Sequence, residues 1–290
     1  MKRILYCVAV GKPRFGEMAL GLARSLSLLG DRTPRVIVTD FQGMPWERHF
    51  DIVMPPNGAR SALDKLTGIE RTDADAVLAL DVDMLAFRPL SDIFEHCQGK
   101  PFAIQGLLRS NGRFHGVEVP ELLKRYGVSS FPIFNGGMAY YERSAEFSSL
   151  LSEMRSAEAT YGDLGFNWFR GSVSEEVCMA HAMVRTGIGE LIDPDLQFQH
   201  SAAGLIGKLR LDVLANECSF VARQQETRFW RPYLFHAWRY KDFLAYWREL
   251  KKLEKLFEYE AKRPPMYISQ GSRWVRTFHR MILRWKGRAE

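Results

Sequence analysis

The sequence predicts an α/β protein in which helices cover both faces of a central parallel sheet. Short apolar runs without alternation, typical of strands buried on both faces, recur along the chain up to Leu80. They alternate with segments of helical periodicity, which is the pattern of βαβ units. Ligands of such sheets bind beyond the carboxyl ends of the strands, and Asp40, Asp81 and Asp83 stand at predicted strand ends.

Four strands and two helices are predicted in the first part of the chain. A helix is predicted over residues 16–29, because Met18, Leu22, Leu26 and Leu29 recur at helical spacing and a glycine follows them. A second helix is expected over residues 61–70. The predicted strands cover residues 3–10, 35–39, 52–54 and 76–80.

The rest of the chain reads as a mixture of strands and helices. Ser172 to Glu175 fits a capping box before the next helix. Pro264-Pro265 breaks the chain after the last helix, which predicts one domain over residues 1–263 and a tail over residues 264–290. Strands are predicted at residues 102–105 and 133–141, and helices at residues 144–156, 176–186 and 240–262.

Composition and charge narrow the class of protein. With 290 residues, 46% hydrophobic and 26% charged, the chain resembles a soluble globular protein, and no apolar run approaches bilayer length. The apolar run from Ile4 to Val10 is short for a signal peptide and reads as the first strand. The four cysteines have neither disulfide nor zinc spacing, so we expect reduced core cysteines in a cytoplasmic protein.

The formal net charge of +6 is concentrated at the end of the chain. Eight Lys and Arg residues and a single acid follow Ala261, so the remaining chain is close to neutral. A nucleic-acid-binding body would carry a basic face of its own. We therefore expect no nucleic-acid partner.

Asp81 and Asp83 follow directly on the apolar strand that ends at Leu80. On extended backbone, side chains at i and i+2 point to the same face, so the two carboxylates emerge together. Like charges at a buried edge repel, and a divalent cation removes the repulsion. Hard oxygen ligands suit Mg²⁺ or Mn²⁺, which commonly bridge substrate phosphates. The alternative is a pair of acids that only solvates a strand end.

A second motif, Asn135-Gly136-Gly137, lies within the strand predicted over residues 133–141. Paired glycines let the backbone approach a ligand closely, and the asparagine amide offers both a donor and an acceptor. Such a tripeptide alone is often only a turn. Its position after the paired aspartates favours a role in the same site.

Together these segments resemble the GT-A class of nucleotide-sugar glycosyltransferases. The resemblance is greatest to the glycogenin-like group that includes bacterial lipooligosaccharide galactosyltransferases, glycosyltransferase family 8. It rests on the apolar strand with Asp81-Val82-Asp83, on Pro89-Leu90-Ser91-Asp92-Ile93-Phe94, and on Phe134-Asn135-Gly136-Gly137. The resemblance implies a Rossmann-like mixed central sheet with helices on both faces.

The resemblance also implies roles for individual residues. Asp81, Asp83 and His236 are expected to hold Mn²⁺ or Mg²⁺, with His236 at the end of an apolar strand. Expected catalytic residues are Asn135, Glu175 and Glu176, the two glutamates orienting sugar hydroxyls or deprotonating the acceptor. The expected nucleotide-sugar contacts are Val8, Ala9, Asp40, Lys65, Asp81, Gly136, Gly137 and Lys241.

Several of these roles have a plain structural alternative. His236 could be a hydrogen-bonded core histidine, with His200 ligating in its place. Glu175 could serve only as a helix cap, and Asp40 could cap a turn. Lys65 could be a solvated helix residue.

The expected function is metal-dependent transfer of a sugar from a nucleotide-sugar, by resemblance a UDP-sugar, to a glycan or lipid-linked acceptor. One alternative is a phosphohydrolase of the haloacid dehalogenase type, although its paired aspartates normally lie on the first strand. Another is a non-catalytic binding protein on a degenerate transferase fold.

The tail has the pattern of an interfacial helix. Its arginines form a stripe opposite an apolar face, which suits an anionic membrane surface, and we expect peripheral association at the inner face of the membrane. The alternative is that the apolar face packs on the protein itself. The apolar face consists of Trp274, Phe278, Met281, Ile282 and Trp285, and the stripe of Arg276, Arg280 and Arg284.

Overall fold

The computed structural model describes residues 1–58, 61–223, 226–238 and 244–261. The strands are β1 Arg3–Ala9, β2 Arg35–Thr39, β3 Ile52–Met54, β4 Ala76–Leu80, β5 Met84–Ala86, β6 Phe102–Arg109, β7 Arg113–Phe114, β8 Val117–Glu118, β9 Phe131–Glu142, β10 Glu190–Ile192, β11 Gln199–His200, β12 Leu205–Asp212, β13 Glu217–Arg223, β14 Thr227–Trp230 and β15 Leu234–His236. The helices are α1 Pro13–Leu29, α2 Gly68–Arg71, α3 Ser91–Cys97, α4 Val119–Tyr126, α5 Ala145–Ala159, α6 Glu175–Thr186 and α7 Leu244–Ala261.

Seven strands form the central sheet in the order β10-β6-β9-β4-β1-β2-β3. The pairs β4–β1, β1–β2, β2–β3 and β6–β10 are parallel, whereas β9 runs antiparallel to both β4 and β6. Strand β9 therefore begins at the sheet edge where its neighbours end. The expected mixed α/β sheet is confirmed.

Alternate residues of the central strands enter two separate apolar cores. On β4, Leu78 and Leu80 pack into one core, while Val77 and Ala79 pack into the other. Helices α1 and α7 cover the first face, and α5 and α6 cover the second. Burial on both faces explains why these strands carry apolar residues without alternation.

Past Leu80 the chain leaves the central sheet and enters a smaller one. Strand β5 pairs antiparallel with β15, which places His236 opposite Met84, and β15 pairs parallel with β11. A further antiparallel sheet has the order β12-β13-β14. Among these strands, the one that ends at His236 was expected, whereas β5 and β11, with three and two residues, are too short to show a periodicity.

Two local predictions are wrong. Residues 61–70 do not form one helix; they form a 3₁₀ turn, Asp64–Leu66, followed by the single turn α2. The predicted capping box is absent, because α6 begins at Glu175 with Ser174 at its N-cap and without a side-chain cap bond. Ser172 instead pairs with Phe169 through backbone hydrogen bonds.

The cysteines and the helices can be compared with the expectations drawn from composition. All four cysteines are buried and unpaired, as expected. Among the described residues, no helix combines the length and apolar character that crossing a membrane requires. The tail, residues 264–290, lies outside the described part of the chain.

Ser25→Ala is expected to destabilise the protein by about 2 kcal/mol. The buried Ser25 hydroxyl accepts a hydrogen bond from the Ala86 backbone N–H at 3.0 Å, and the substitution leaves this donor unsatisfied. Urea unfolding measures the change, with the exposed Ser148→Ala on α5 as control. Equal stability of the two variants would show that α1 does not anchor β5 through this bond.

Candidate metal centre and substrate cavity

Asp81, Asp83 and His236 meet because two strand pairings bring their backbones together. Asp81 follows β4 and donates its backbone N–H to the Gly137 carbonyl at 2.8 Å. The Ala237 N–H donates to the Asp83 carbonyl at 2.8 Å, which continues the β5–β15 pairing. One potential ligand atom from each of the three side chains lies within 4.8 Å of the others. The described residues thus include two carboxylates and one imidazole close enough to hold a single ion.

His236 presents one ring nitrogen to the two aspartates without a hydrogen bond. Its Nε2 lies 3.2 Å from Asp83 Oδ1 and 3.6 Å from Asp81 Oδ2. This Nε2 is buried and has no hydrogen-bond partner among the described residues. A buried polar atom without a partner is costly, and a cation among the three side chains supplies one.

The opposite ring nitrogen fixes the tautomer. His236 Nδ1 lies 2.8 Å from Asn135 Oδ1. The Asn135 amide nitrogen faces a Glu176 carboxylate oxygen at 3.3 Å, so Asn135 must present its oxygen to the imidazole. Nδ1 therefore carries a proton, and in the neutral ring Nε2 keeps its lone pair for a metal ion. These donors suit a divalent ion of the Mg²⁺ or Mn²⁺ type.

Gly137 is required by the position of the imidazole. A Cβ atom at Gly137 would lie 2.5 Å from His236 Cε1 and 2.6 Å from His236 Nδ1. The Gly137 N–H also donates to Asn135 Oδ1 at 3.2 Å. The second glycine of the motif therefore leaves room for the His236 ring.

Lys65 is buried at the centre of the site and is not solvated. Its ammonium donates to Asp81 Oδ1 at 3.0 Å, to Glu175 Oε1 at 3.1 Å and to the Gly136 carbonyl at 2.6 Å. Burial alone lowers the pKa of the Lys65 ammonium, but the Asp81 and Glu175 carboxylates outweigh burial and raise that pKa above its ordinary value. All three ammonium hydrogens thus have acceptors within the protein.

The two glutamates at the start of α6 differ in how much of each carboxylate is already used. Glu176 accepts from the Gly136 N–H at 2.8 Å and lies 2.9 Å from His115 Nε2 through its other oxygen. Glu175 is held by Lys65 through Oε1, and within the described residues no hydrogen bond uses its second oxygen. Glu175 is therefore the glutamate with capacity for a ligand.

His115 was missed by the sequence analysis. It is the first residue of the two-residue turn between β7 and β8, has a positive φ of 43°, and borders the site through its contact with Glu176. Its partner is 61 residues away in the chain, so no local spacing signals the pair. The positive φ of a non-glycine residue belongs to the folded structure and leaves no mark in the sequence.

The other predicted contacts lie at the same sheet edge or outside the described residues. Val8 and Ala9 end β1, and Asp40 follows β2 and accepts from the Gly11 N–H at 3.1 and 3.2 Å. None of the three borders the cavity next to the metal centre. Lys241 lies outside the described residues.

A cavity of about 680 Å³ opens next to the three candidate ligands. Its volume is in the range of sites that bind small molecules. The side chains around it include the four acids of the site, three arginines and several apolar groups, among them Asp81, Glu175, Arg109, Arg170, Leu107 and Phe169.

His200 borders the same cavity but is not part of the candidate metal centre. Its ring centroid lies 3.9 Å from that of Trp230. Burial lowers the pKa of His200 to about 4. In the described residues the metal-ligand group contains His236 and not His200, so His200 packs as a neutral aromatic side chain.

Comparison with known proteins gives likenesses in fold only. No protein family profile and no curated protein sequence matches the chain. Among solved structures, mouse xyloside xylosyltransferase 1 is 12% identical with a TM-score of 0.45, and the match covers 69% of this chain and 88% of that one. The galactosyltransferase LgtC, solved with donor and acceptor sugar analogues, is 12% identical with a TM-score of 0.46, covering 67% and 75%.

The glycosyltransferase GlyE of Streptococcus pneumoniae is 13% identical with a TM-score of 0.46. That match covers 70% of this chain and 47% of GlyE, so the chain spans about half of GlyE. These three similar structures are named as glycosyltransferases. At these TM-scores a functional assignment has to rest on the residues of the site.

Gly137→Ala is expected to weaken Mn²⁺ binding at least ~10-fold, because the added methyl group displaces the His236 ring from the two aspartates. Isothermal titration with Mn²⁺ measures the loss. Gly162→Ala is the matched control, since nothing lies within 4 Å of a Cβ at that position. Unchanged Mn²⁺ affinity in Gly137→Ala would exclude His236 as a ligand.

Stability is expected to fall as the pH is lowered from about 6.5 to about 4, partly through His200. The folded pKa lies below the unfolded one, so in this window the unfolded chain binds a proton that the folded protein excludes. His200→Phe should reduce the slope of unfolding free energy against pH by up to about 1.4 kcal/mol per pH unit. Urea unfolding at several pH values measures the slope, and identical slopes would contradict a neutral buried His200.

Proposed function

We propose that the protein is a metal-dependent glycosyltransferase that moves a sugar from a nucleotide-sugar, with UDP as the expected nucleotide, to a glycan or lipid-linked acceptor. The observation that supports it best is the buried Nε2 of His236, which lies between two carboxylates at the carboxyl edge of the sheet and has no hydrogen-bond partner among the residues described. Ligands of α/β sheets bind at this edge. Carboxylates there can hold a divalent ion that bridges phosphates.

Asp81, Asp83 and His236 are the residues proposed to hold the ion. When bound, the metal acts as a Lewis acid that stabilises the negative charge on the departing nucleoside diphosphate. The protein's own contribution is to orient these ligands. Asn135 accepts from the Nδ1–H of His236 and so turns Nε2 towards the two aspartates, and Lys65 holds one Asp81 oxygen so that the other faces the imidazole.

Lys65 acts in this proposal as a positioning residue. The resemblance implied a direct contact between this residue and the nucleotide, but its hydrogen-bonding capacity is already used by Asp81, Glu175 and Gly136. A buried ammonium with three acceptors also keeps the carboxylates from repelling one another.

Glu175 is the residue proposed to contact sugar hydroxyls. It borders the cavity, and one of its oxygens carries no hydrogen bond within the described residues. Glu176 is proposed to position Asn135 and the Gly136 backbone, since both of its oxygens already have partners. Asn135 acts on the ion through His236.

The decisive experiment measures Mn²⁺-dependent release of nucleoside diphosphate across a panel of nucleotide-sugars. One donor is expected to be hydrolysed slowly, and Asp83→Ala should reduce that release to background because a metal ligand is lost. The exposed Asp163→Ala is the control and should retain full release.

Other outcomes would support the competing functions. Release of inorganic phosphate from monoesters, with no release from nucleotide-sugars, would support a phosphohydrolase. Absence of both Mn²⁺ and nucleotide binding in the wild-type protein would support a non-catalytic binding protein.

A further inference from the structure

The cavity has a second end whose chemistry differs from that of the metal centre. Gln105, Leu107 and Arg109 are alternate residues of β6 that all line the cavity. Arg109 pairs with Phe131 on β9, four residues before Asn135. At ~3.3 Å per residue, Arg109 lies about 13 Å along the strand from the asparagine that orients His236.

A second arginine reaches the cavity from a tight turn. Phe169 and Ser172 exchange backbone hydrogen bonds of 2.8 and 3.0 Å, and Arg170 and Gly171 between them have φ values of 54° and 80°. Such a turn favours Asn, Asp or Gly at its first central position. The Arg170 guanidinium lies 5.0 Å from the centre of the Phe169 ring. An arginine at a position that the turn disfavours indicates a function for its side chain.

Each of these arginines follows two exposed apolar residues. Leu107-Leu108 precede Arg109, and the two leucines are 42% and 61% exposed. Trp168-Phe169 precede Arg170, and the two aromatic residues are 56% and 42% exposed. Of these four apolar residues, Leu107 and Phe169 line the cavity together with Arg109 and Arg170. Exposed apolar groups that border a cavity can mark an interaction surface.

The two guanidinium groups keep their charge available for a ligand. Within the described residues no ion pair joins Arg109 or Arg170 to a carboxylate, whereas a third arginine of the cavity, Arg113, pairs with Glu118. The site acids are held at the other end, for example Asp81 by Lys65. Both arginines line the same cavity, and guanidinium groups are suited to bidentate binding of a phosphate.

We propose that this end of the cavity binds a phosphate group attached to an apolar chain, so that the acceptor is a lipid-phosphate-linked sugar. The phosphate lies on Arg109 and Arg170, and the chain leaves along the exposed rim formed by Leu107 and Phe169. An uncharged glycan would leave both guanidinium groups without an anion, and a free sugar phosphate would leave the rim in water. The identification of this ligand as an acceptor rests on the proposed function.

The test uses octyl phosphate as a soluble probe, below its micelle concentration and with EDTA present. Isothermal titration of the full-length protein is expected to show at least ~10-fold tighter binding of octyl phosphate than of octyl glucoside or inorganic phosphate. Equal binding of octyl glucoside would overturn the phosphate contact. Equal binding of inorganic phosphate would overturn the lipid component and leave a site for a free anion.

Substitutions of the cavity residues test where octyl phosphate binds. Arg109→Gln with Arg170→Gln should weaken octyl phosphate binding about 100-fold, and Leu107→Ser with Phe169→Ser should weaken it about 10-fold. Matched controls elsewhere, Arg155→Gln and the exposed Phe229→Ser, should bind like wild type. If the double glutamine variant misfolds, Arg109→Lys with Arg170→Lys replaces it, with weakening of at least 10-fold expected. Wild-type affinity in the folded arginine variant would overturn the proposal.

The two proposals can fail separately. Asp83→Ala should lose Mn²⁺ binding and keep octyl phosphate binding, because neither Arg109 nor Arg170 belongs to the candidate metal-ligand group. Suppose that octyl phosphate binding does not depend on the arginines while Mn²⁺-dependent release of nucleoside diphosphate is intact. Only the proposal of a lipid-phosphate acceptor would then be contradicted. Arginine-dependent binding of octyl phosphate without release of nucleoside diphosphate would contradict only the proposed transferase activity.

Discussion

A buried ammonium group holds the candidate site together. Lys65 connects the end of β4, the backbone of β9 and the start of α6 through Asp81, Gly136 and Glu175. These carboxylates would otherwise repel one another in a partly buried setting, and the raised pKa of Lys65 keeps the balancing charge in place. The lysine does not reach the Nε2 of His236, which has no hydrogen-bond partner in the part of the chain that the structure describes and which a second cation can satisfy.

Strand β9 gives the site its geometry because it alone runs against its neighbours in the central sheet. Its register sets Gly137 beside Asp81 and leaves room for the imidazole that arrives on β15. A slip of one residue would turn Asn135 to the opposite face and remove the hydrogen bond that fixes the His236 tautomer. Backbone pairing and metal chemistry thus depend on the same strand.

The sequence was sufficient for features encoded locally. The Asp81–Asp83 pair and the buried strand before it follow from spacing and apolar pattern alone, and so do the main strands and α1. His236 could be predicted only through a resemblance, since its partners lie on distant strands. The contact of His115 with Glu176 and the contacts of Lys65 with Gly136 and Glu175 could not be predicted, because they join segments more than 60 residues apart. Lys65 lies on a 3₁₀ turn where a helix was expected. Its position depends on tertiary contacts, which helical periodicity in the sequence does not reveal.

The separation of charge within the cavity is itself informative. Arginines close to free carboxylates would pair with them, and neither group would then be available to a ligand. Here Lys65 and His115 already contact carboxylates at the metal end, and β6 and β9 carry Arg109 well away from them. Both ends can therefore keep opposite charges in one cavity of about 680 Å³. Such an arrangement suits a reaction between two bound molecules, one held through a cation and the other through its own negative charge.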